Sequence, residues 1–154
     1  MSTPWVTLTT DDLKSSMTAV EVESFGKTAT DGAPDERVTQ ILADLVAEIR
    51  GFIGSASANT LSADATRIPP EFKARALAIA RWRLLITIPR YSPGDARKAE
   101  WEQANQFFEK VATGKIRPQP ADDAMPTDVP NEKPAGVDWF AAGSRTGRDR
   151  MQGL

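Results

Sequence analysis

An all-α fold is predicted: a small helical bundle of three longer and two short helices with an extended C-terminal tail. Three observations predict it. Apolar residues recur at three- and four-residue steps in the stretches 33–53, 70–88 and 93–113, the spacing of a helix with one buried side. Each stretch has a proline near its start, Pro34, Pro70 and Pro93, where the missing N–H costs no helical hydrogen bond. After Ile116 the pattern stops, and prolines 118, 120, 126, 130 and 134 follow. The expected organisation is a helical domain over residues 1–116 and a Pro/Gly-rich docking tail over 117–154.

Residues 3–9, TPWVTLT, read as an extended lead-in whose Trp5 and Leu8 pack on the helices. Nothing downstream offers an obvious strand partner. Thr9 or Thr10 can cap a short helix; with Thr9 as the cap, Asp12 falls at its third position, and Leu13 and Met17 share a face. Thr18 and Glu21 have capping-box spacing for a second short helix. Its candidates for burial are Val20, Val22 and Phe25, and Gly26 is expected to stop it in a left-handed conformation.

The stretch Ala33 to Ile53 is the expected centre of the core. Val38, Ile41, Leu42, Leu45, Val46, Ile49, Phe52 and Ile53 form its apolar side, and Asp44, Glu48 and Arg50 its polar side. Asp35 and Glu36 suit the positive end of the helix dipole. In the connector 54–69, small polar residues dominate and Leu61 and Ile68 tack the chain to the core.

The third stretch carries Phe72, Ala76, Ile79, Ala80 and Arg83 on one stripe, widened by Leu77, Leu84 and Leu85. Glu71 and Arg75 are spaced as a helix-face pair. With Lys73, Arg75, Arg81 and Arg83 this is the basic helix, and Trp82 stands between two of its arginines. Pro89 ends the element. Ser92 is the expected cap of the last helix, which carries Ala96, Ala99, Ala104, Phe107, Phe108 and Val111. Trp101 either completes that face or marks a subunit contact. Arg81, Trp82 and Trp101 are therefore the candidate subunit interface. Gly114 is the expected C-terminal cap, with Ile116 folding back onto the last turn.

The tail is unhelical but not uniformly polar. Trp139-Phe140 is followed by Arg145, Arg148, Arg150, Met151 and Leu154. Aromatics and arginines anchor interfaces, so these seven are the candidate partner-binding residues.

Composition narrows the chemistry. The chain has no cysteine and no histidine, which removes disulfides, thiolate nucleophiles, Ser/His/Asp systems and histidine-zinc sites. Gly26-Lys27-Thr28 lacks the spacing of a phosphate loop, and Asp31, Asp35 and Glu36 do not match a calcium loop. Asp44 and Glu48, four apart on the polar side of the central helix, are the remaining acid pair, with no further ligands at a recognisable spacing. No enzyme activity and no cofactor are expected. The net charge of −2 does not favour a protein that coats nucleic acid. No run approaches a membrane span, and MSTPWVTLTTDD lacks the features of a secretion signal.

The order of motifs carries a resemblance. Val6-Thr7 through Asp12-Leu13 resembles (I/V)-T-x-x-D-L. Val38 through Ile53 resembles V-x-x-A-L-x-D-A-x-A-E-I-x-G-Y-I. Pro69-Pro70-Glu71-Phe72, Ala76, Ile79-Ala80-Arg81-Trp82 and Leu84 follow P-x-x-L-x-x-x-A-x-x-I-A-R-(W/Y)-x-L. Trp101, Ala104, Phe107-Phe108 and Val111 through Ile116 resemble the closing helix and its Gly-Lys end. Over about residues 5–117 the chain is similar to Mu-like phage and prophage proteins of the head–tail connector, adaptor or neck class. The connector 54–67 departs from them by its lack of tyrosines and prolines.

The resemblance implies a structural subunit in the virion, at the head–tail junction, after assembly in the host cytoplasm. Its implied partners are the portal protein, neighbouring copies in a ring (usually twelvefold, a 12-mer) and a tail-side stopper or terminator protein. DNA would pass through the lumen, and no membrane is involved. Two other readings stay open. One is a small DNA-binding or packaging-associated helical protein using Lys73, Arg75, Arg81 and Arg83. The other is a small enzyme using Asp44 and Glu48.

Overall fold

The computed structural model describes residues 3–28 and 34–124. Five helices make up most of that chain: α1 (Thr10–Ser15), α2 (Ala19–Thr28), α3 (Pro34–Ser55), α4 (Lys73–Leu85) and α5 (Asp95–Ala112). The fold is the predicted all-α one, with three longer helices and two short ones. The candidate anchors Trp139, Phe140, Arg145, Arg148, Arg150, Met151 and Leu154 lie outside the described residues.

The long helices α3, α4 and α5 each pack on the other two. Their shared interior is filled by Leu45, Ile49 and Ile53 from α3, Ile79 and Leu84 from α4, and Phe108 and Val111 from α5. Phe72 sits in a 3-10 turn (Pro70–Phe72) that leads into α4. Its ring meets Phe107 and Phe108 edge-on, at 5.2 and 5.6 Å between centroids, the geometry favoured by aromatic quadrupoles. Ala76, Ala80 and Ala104 are buried, and their small side chains let α4 and α5 approach closely. Truncating Phe72 or Phe108 to alanine would cost about 3–5 kcal/mol.

The two short helices start as their capping residues dictate. Thr9 and Asp12 form a reciprocal box, with the Asp12 N–H donating to Thr9 Oγ1 at 3.2 Å and the Thr9 N–H to Asp12 Oδ2 at 3.1 Å. Thr18 and Glu21 repeat the arrangement. Burial on α2 is different from the expectation. Val20 and Val22 are exposed, whereas Glu21 is buried. Phe25, the third candidate, is partly buried against the core, and Glu21 docks the helix through its ion pair with Arg97. Gly26 does not stop the helix either, because α2 keeps its helical conformation through that residue to Thr28.

The lead-in does have a strand partner. β1 (Val6–Thr7) pairs antiparallel with β2 (Arg67–Ile68), Val6 opposite Ile68 and Thr7 opposite Arg67. Trp5 and Leu8 are buried as expected. Arg50, placed by the helix period on the polar side, reaches across to the connector. Its guanidinium donates to the carbonyls of Ser62, Asp64 and Arg67 at 2.8–3.0 Å and lies 5.9 Å from the Trp5 ring centre. One side chain thus fastens the 62–68 segment to α3.

Three further details differ at the α4–α5 end. Ser92 is not the cap of α5. Gly94 holds that position with extended backbone and no side-chain bond, because the helix begins two residues later than the Ser-Pro signal suggests. Ala96 and Ala99 are exposed, and the buried face of α5 begins at Ala104. Glu71 pairs with the backbone N–H of Gln119 at 2.8 Å rather than with Arg75. Gly114 does cap α5 at φ 72°, and Ile116 folds back to donate to the Lys110 carbonyl at 3.2 Å.

The sequence placed the edge of the helical domain at residue 116. Beyond it, as far as Ala124, the chain lies on the body. Trp5 Nε1 donates to the Gln119 carbonyl at 3.2 Å, Ser62 Oγ to Asp123 Oδ2 at 2.8 Å, and Ala121 is buried. Ser62 and Ala124 form an antiparallel bridge.

Candidate functional site

The period of α4 turns Arg81 and Trp82 in different directions. Trp82 faces outward beside α5, where Trp101 lies over it with 5.4 Å between ring centres and 20° between planes. Both indoles are half-buried. They form one side of a hollow of about 580 Å3, completed by Phe52 from α3, Ile86 at the end of α4, and Asn105 and Glu109 from α5. Ile86 is 55% exposed. Glu48 and Arg83 pair with one another at the edge of this hollow, a partly exposed contact worth roughly 0–1 kcal/mol.

Arg81 is instead turned inward. It donates to the Ser16 carbonyl and to Glu100. Glu100 also accepts from Arg97 at 3.0 Å, and Arg97 clasps Glu21 with bonds of 2.8 and 3.1 Å. This chain of charges ties the α1–α2 corner to α4 and α5. Burial alone would raise the Glu21 carboxyl, but the Arg97 bonds and the Thr18 backbone N–H hold it below the ordinary glutamate value. The same bonds from Glu21 raise Arg97. Of the three candidate interface residues, the fold therefore brings Trp82 and Trp101 together on a surface and assigns Arg81 to the interior.

The other cations of α4 are also engaged within the chain. Lys73 bonds Asp12 at 2.7 Å, and this bond in particular holds the Asp12 carboxyl below the ordinary aspartate value. Arg75 lies 4.0 Å from the centre of the Phe107 ring, and Arg83 meets Glu48. The acid pair is similarly divided: Asp44 accepts from Gln40 at 2.7 Å, while Glu48 is held by Arg83. Among the described residues no cluster of carboxylates could hold a metal ion.

Sequence reasoning missed a second surface. A groove of about 410 Å3 runs between α3 and the β1–α1 segment, walled by Leu8, Leu42, Ala43, Val46, Ala47 and Thr66 among others. No charged residue lines it. Its walls come from three separate segments rich in threonine and alanine, so no local pattern announces it.

Fold and surfaces together define a small all-α protein whose α4 cations and Glu21 are paired within the chain and which leaves two partly apolar depressions open. The family model described as Bacteriophage Mu, Gp36 matches residues 8–135, and the chain belongs to that family of Mu-like phage proteins. The match covers all five helices and runs past Ala124, ending before Trp139. No curated protein and no solved structure matches the chain. No helix among the described residues is long and apolar enough to cross a membrane.

Proposed function

We propose that the chain is a structural adaptor subunit of a phage head–tail connector. Copies assemble into a ring beneath the portal and let DNA pass through the lumen, with a stopper or terminator protein on the tail side. Membership of a Mu phage family makes a particle or assembly role the natural starting point. The observation that carries the reading further is the Trp82–Trp101 stack, held half-buried at the surface beside the ends of α3 and α4. Paired indoles beside an exposed Ile86 have the composition of the anchoring centre of a protein interface. The tail residues Trp139 and Phe140 serve as anchors on the portal in this reading.

A DNA-binding role through the basic helix is less well supported. Lys73, Arg75, Arg81 and Arg83 each have an intramolecular partner, and phosphate contacts would have to displace those partners. Such binding would show at low salt and fall steeply as salt rises.

The test is co-sedimentation with tailless, DNA-filled heads. The full chain is compared with a chain ended after Ala124, which keeps the contacts of residues 117–124 with the body, and with a Trp139→Ala/Phe140→Ala variant. The full chain should sediment with heads and the other two should not. Failure of the full chain to bind heads overturns the adaptor reading. Undiminished binding by the other two removes the tail anchors from it.

A further inference from the structure

The hollow beside the tryptophan stack is charged as well as aromatic. From α5 it receives Trp101, Asn105 and Glu109, and α3 and α4 face them with Glu48, Arg83 and Trp82. The α5 residues are four apart, so they form one line from indole to carboxylate, about 12 Å long at 1.5 Å per residue. Two carboxylates and one guanidinium line the space, and the guanidinium of Arg83 is paired with Glu48. Among the described residues the Glu109 side chain has neither a hydrogen bond nor an ion pair. The hollow thus offers aromatic surface at one end and a free carboxylate at the other. A guanidinium suits both: its flat face lies on an indole, and its N–H fork meets a carboxylate.

We infer that the hollow is an arginine-binding site whose occupant is the Arg148-Asp149-Arg150 segment of the same chain. The order of charges in that segment fits the site. In an extended stretch alternate side chains share a side, so Arg148 and Arg150 point one way, roughly 7 Å apart, and Asp149 points the other. One arginine covers the indoles, the other reaches Glu109, and Asp149 is left in water. The reach is ample. Arg148 lies 24 residues beyond Ala124, a span of up to about 80 Å, whereas a body of this size has a radius of gyration of about 14 Å. Because the two partners are tethered, the contact is intramolecular, and a weak pair of exposed contacts suffices to fill the site.

The consequence is a covered stack in the free subunit. A partner that draws the tail away uncovers Trp82 and Trp101, so the contact keeps free copies apart until the tail is engaged elsewhere. It needs neither heads nor a ring, so its test stands apart from that of the adaptor reading.

The chain has no cysteine, so Gln152→Cys gives a single attachment point for a nitroxide two residues past Arg150. In the isotope-labelled full chain at low concentration, the indole N–H signals of Trp82 and Trp101 should lose most of their intensity, and that of the buried Trp5 should keep it. Excess unlabelled chain should leave this loss unchanged. Arg148→Glu/Arg150→Glu should restore both signals. So should Glu109→Lys, an exposed substitution that should leave the melting temperature unaltered. Indole signals that are all untouched, or all weakened alike, overturn the inference. A loss that Glu109→Lys leaves intact removes the carboxylate contact and overturns it too. So does a loss that vanishes in excess unlabelled chain, which would mean that a second copy supplies the arginines. A loss confined to the backbone signals of Leu42, Val46 and Thr66 would put the segment in the groove and overturns it as well.

Discussion

Glu21 shows how much one buried charge decides. It sits in a cap that satisfies a helix start, and its carboxylate links α2 to Arg97. Removing it leaves Arg97 partly buried with Glu100 as its remaining carboxylate. Glu21→Ala should lower the unfolding free energy by about 3 kcal/mol, the low end for a broken buried pair, as read from urea melts. The pH dependence follows from the depressed carboxyl. A group that ionises more readily folded than unfolded contributes its full stability above the unfolded value, near 4.5, and loses it as pH falls through the lower folded value. The melting temperature of the unaltered protein should therefore drop more steeply below about pH 4.5 than that of Glu21→Gln. Parallel curves for the two would show that the pairing contributes nothing.

Among the elements, the connector between α3 and α4 depends on a contact outside itself. Its composition is that of a loop, yet Arg50 holds three of its carbonyls and β1 pairs with its end. Hydrogen bonds from a charged donor are worth about 1.5–3 kcal/mol each, less when water can replace the donor. Arg50→Met keeps the stem of the side chain and removes the donors. It should cost about 3 kcal/mol in total, and hydrogen exchange should quicken over residues 62–68 before the rest of the bundle. Exchange that quickens evenly over the whole chain would mean that Arg50 acts only on global stability. The connector also forms part of the groove through Ala65 and Thr66.

At the level of the whole molecule, the body is closed by its own continuation. Residues 117–124 cover Trp5 and bridge to Ser62. A chain ended after Ile116 should melt several degrees below one ended after Ala124, because it uncovers Trp5 and removes the Gln119 N–H from Glu71 and the Asp123 acceptor from the Ser62 hydroxyl. Equal melting temperatures would mean that the segment merely rests on the surface.

Much of the architecture was legible in the residues themselves. The apolar period of 38–53 marked α3 and its buried side, Thr9 with Asp12 and Thr18 with Glu21 marked two helix starts, and Gly114 marked an end. These are local signals, set by neighbours within four residues, and local physics suffices to read them. The aromatic site was half legible: Trp82 and Trp101 stood out by type, but their stacking needed two helices to meet. Tertiary structure alone decided the rest. Arg81 went inward because Ser16 and Glu100 wait there, and Arg50 became a clamp because the connector passes within its reach. Val20 and Val22 stayed outside while Glu21 turned in to meet Arg97. The groove exists only where three separate stretches meet. Each of these outcomes depends on partners far away in sequence, and a pairing between distant residues leaves no period or cap for the sequence to display.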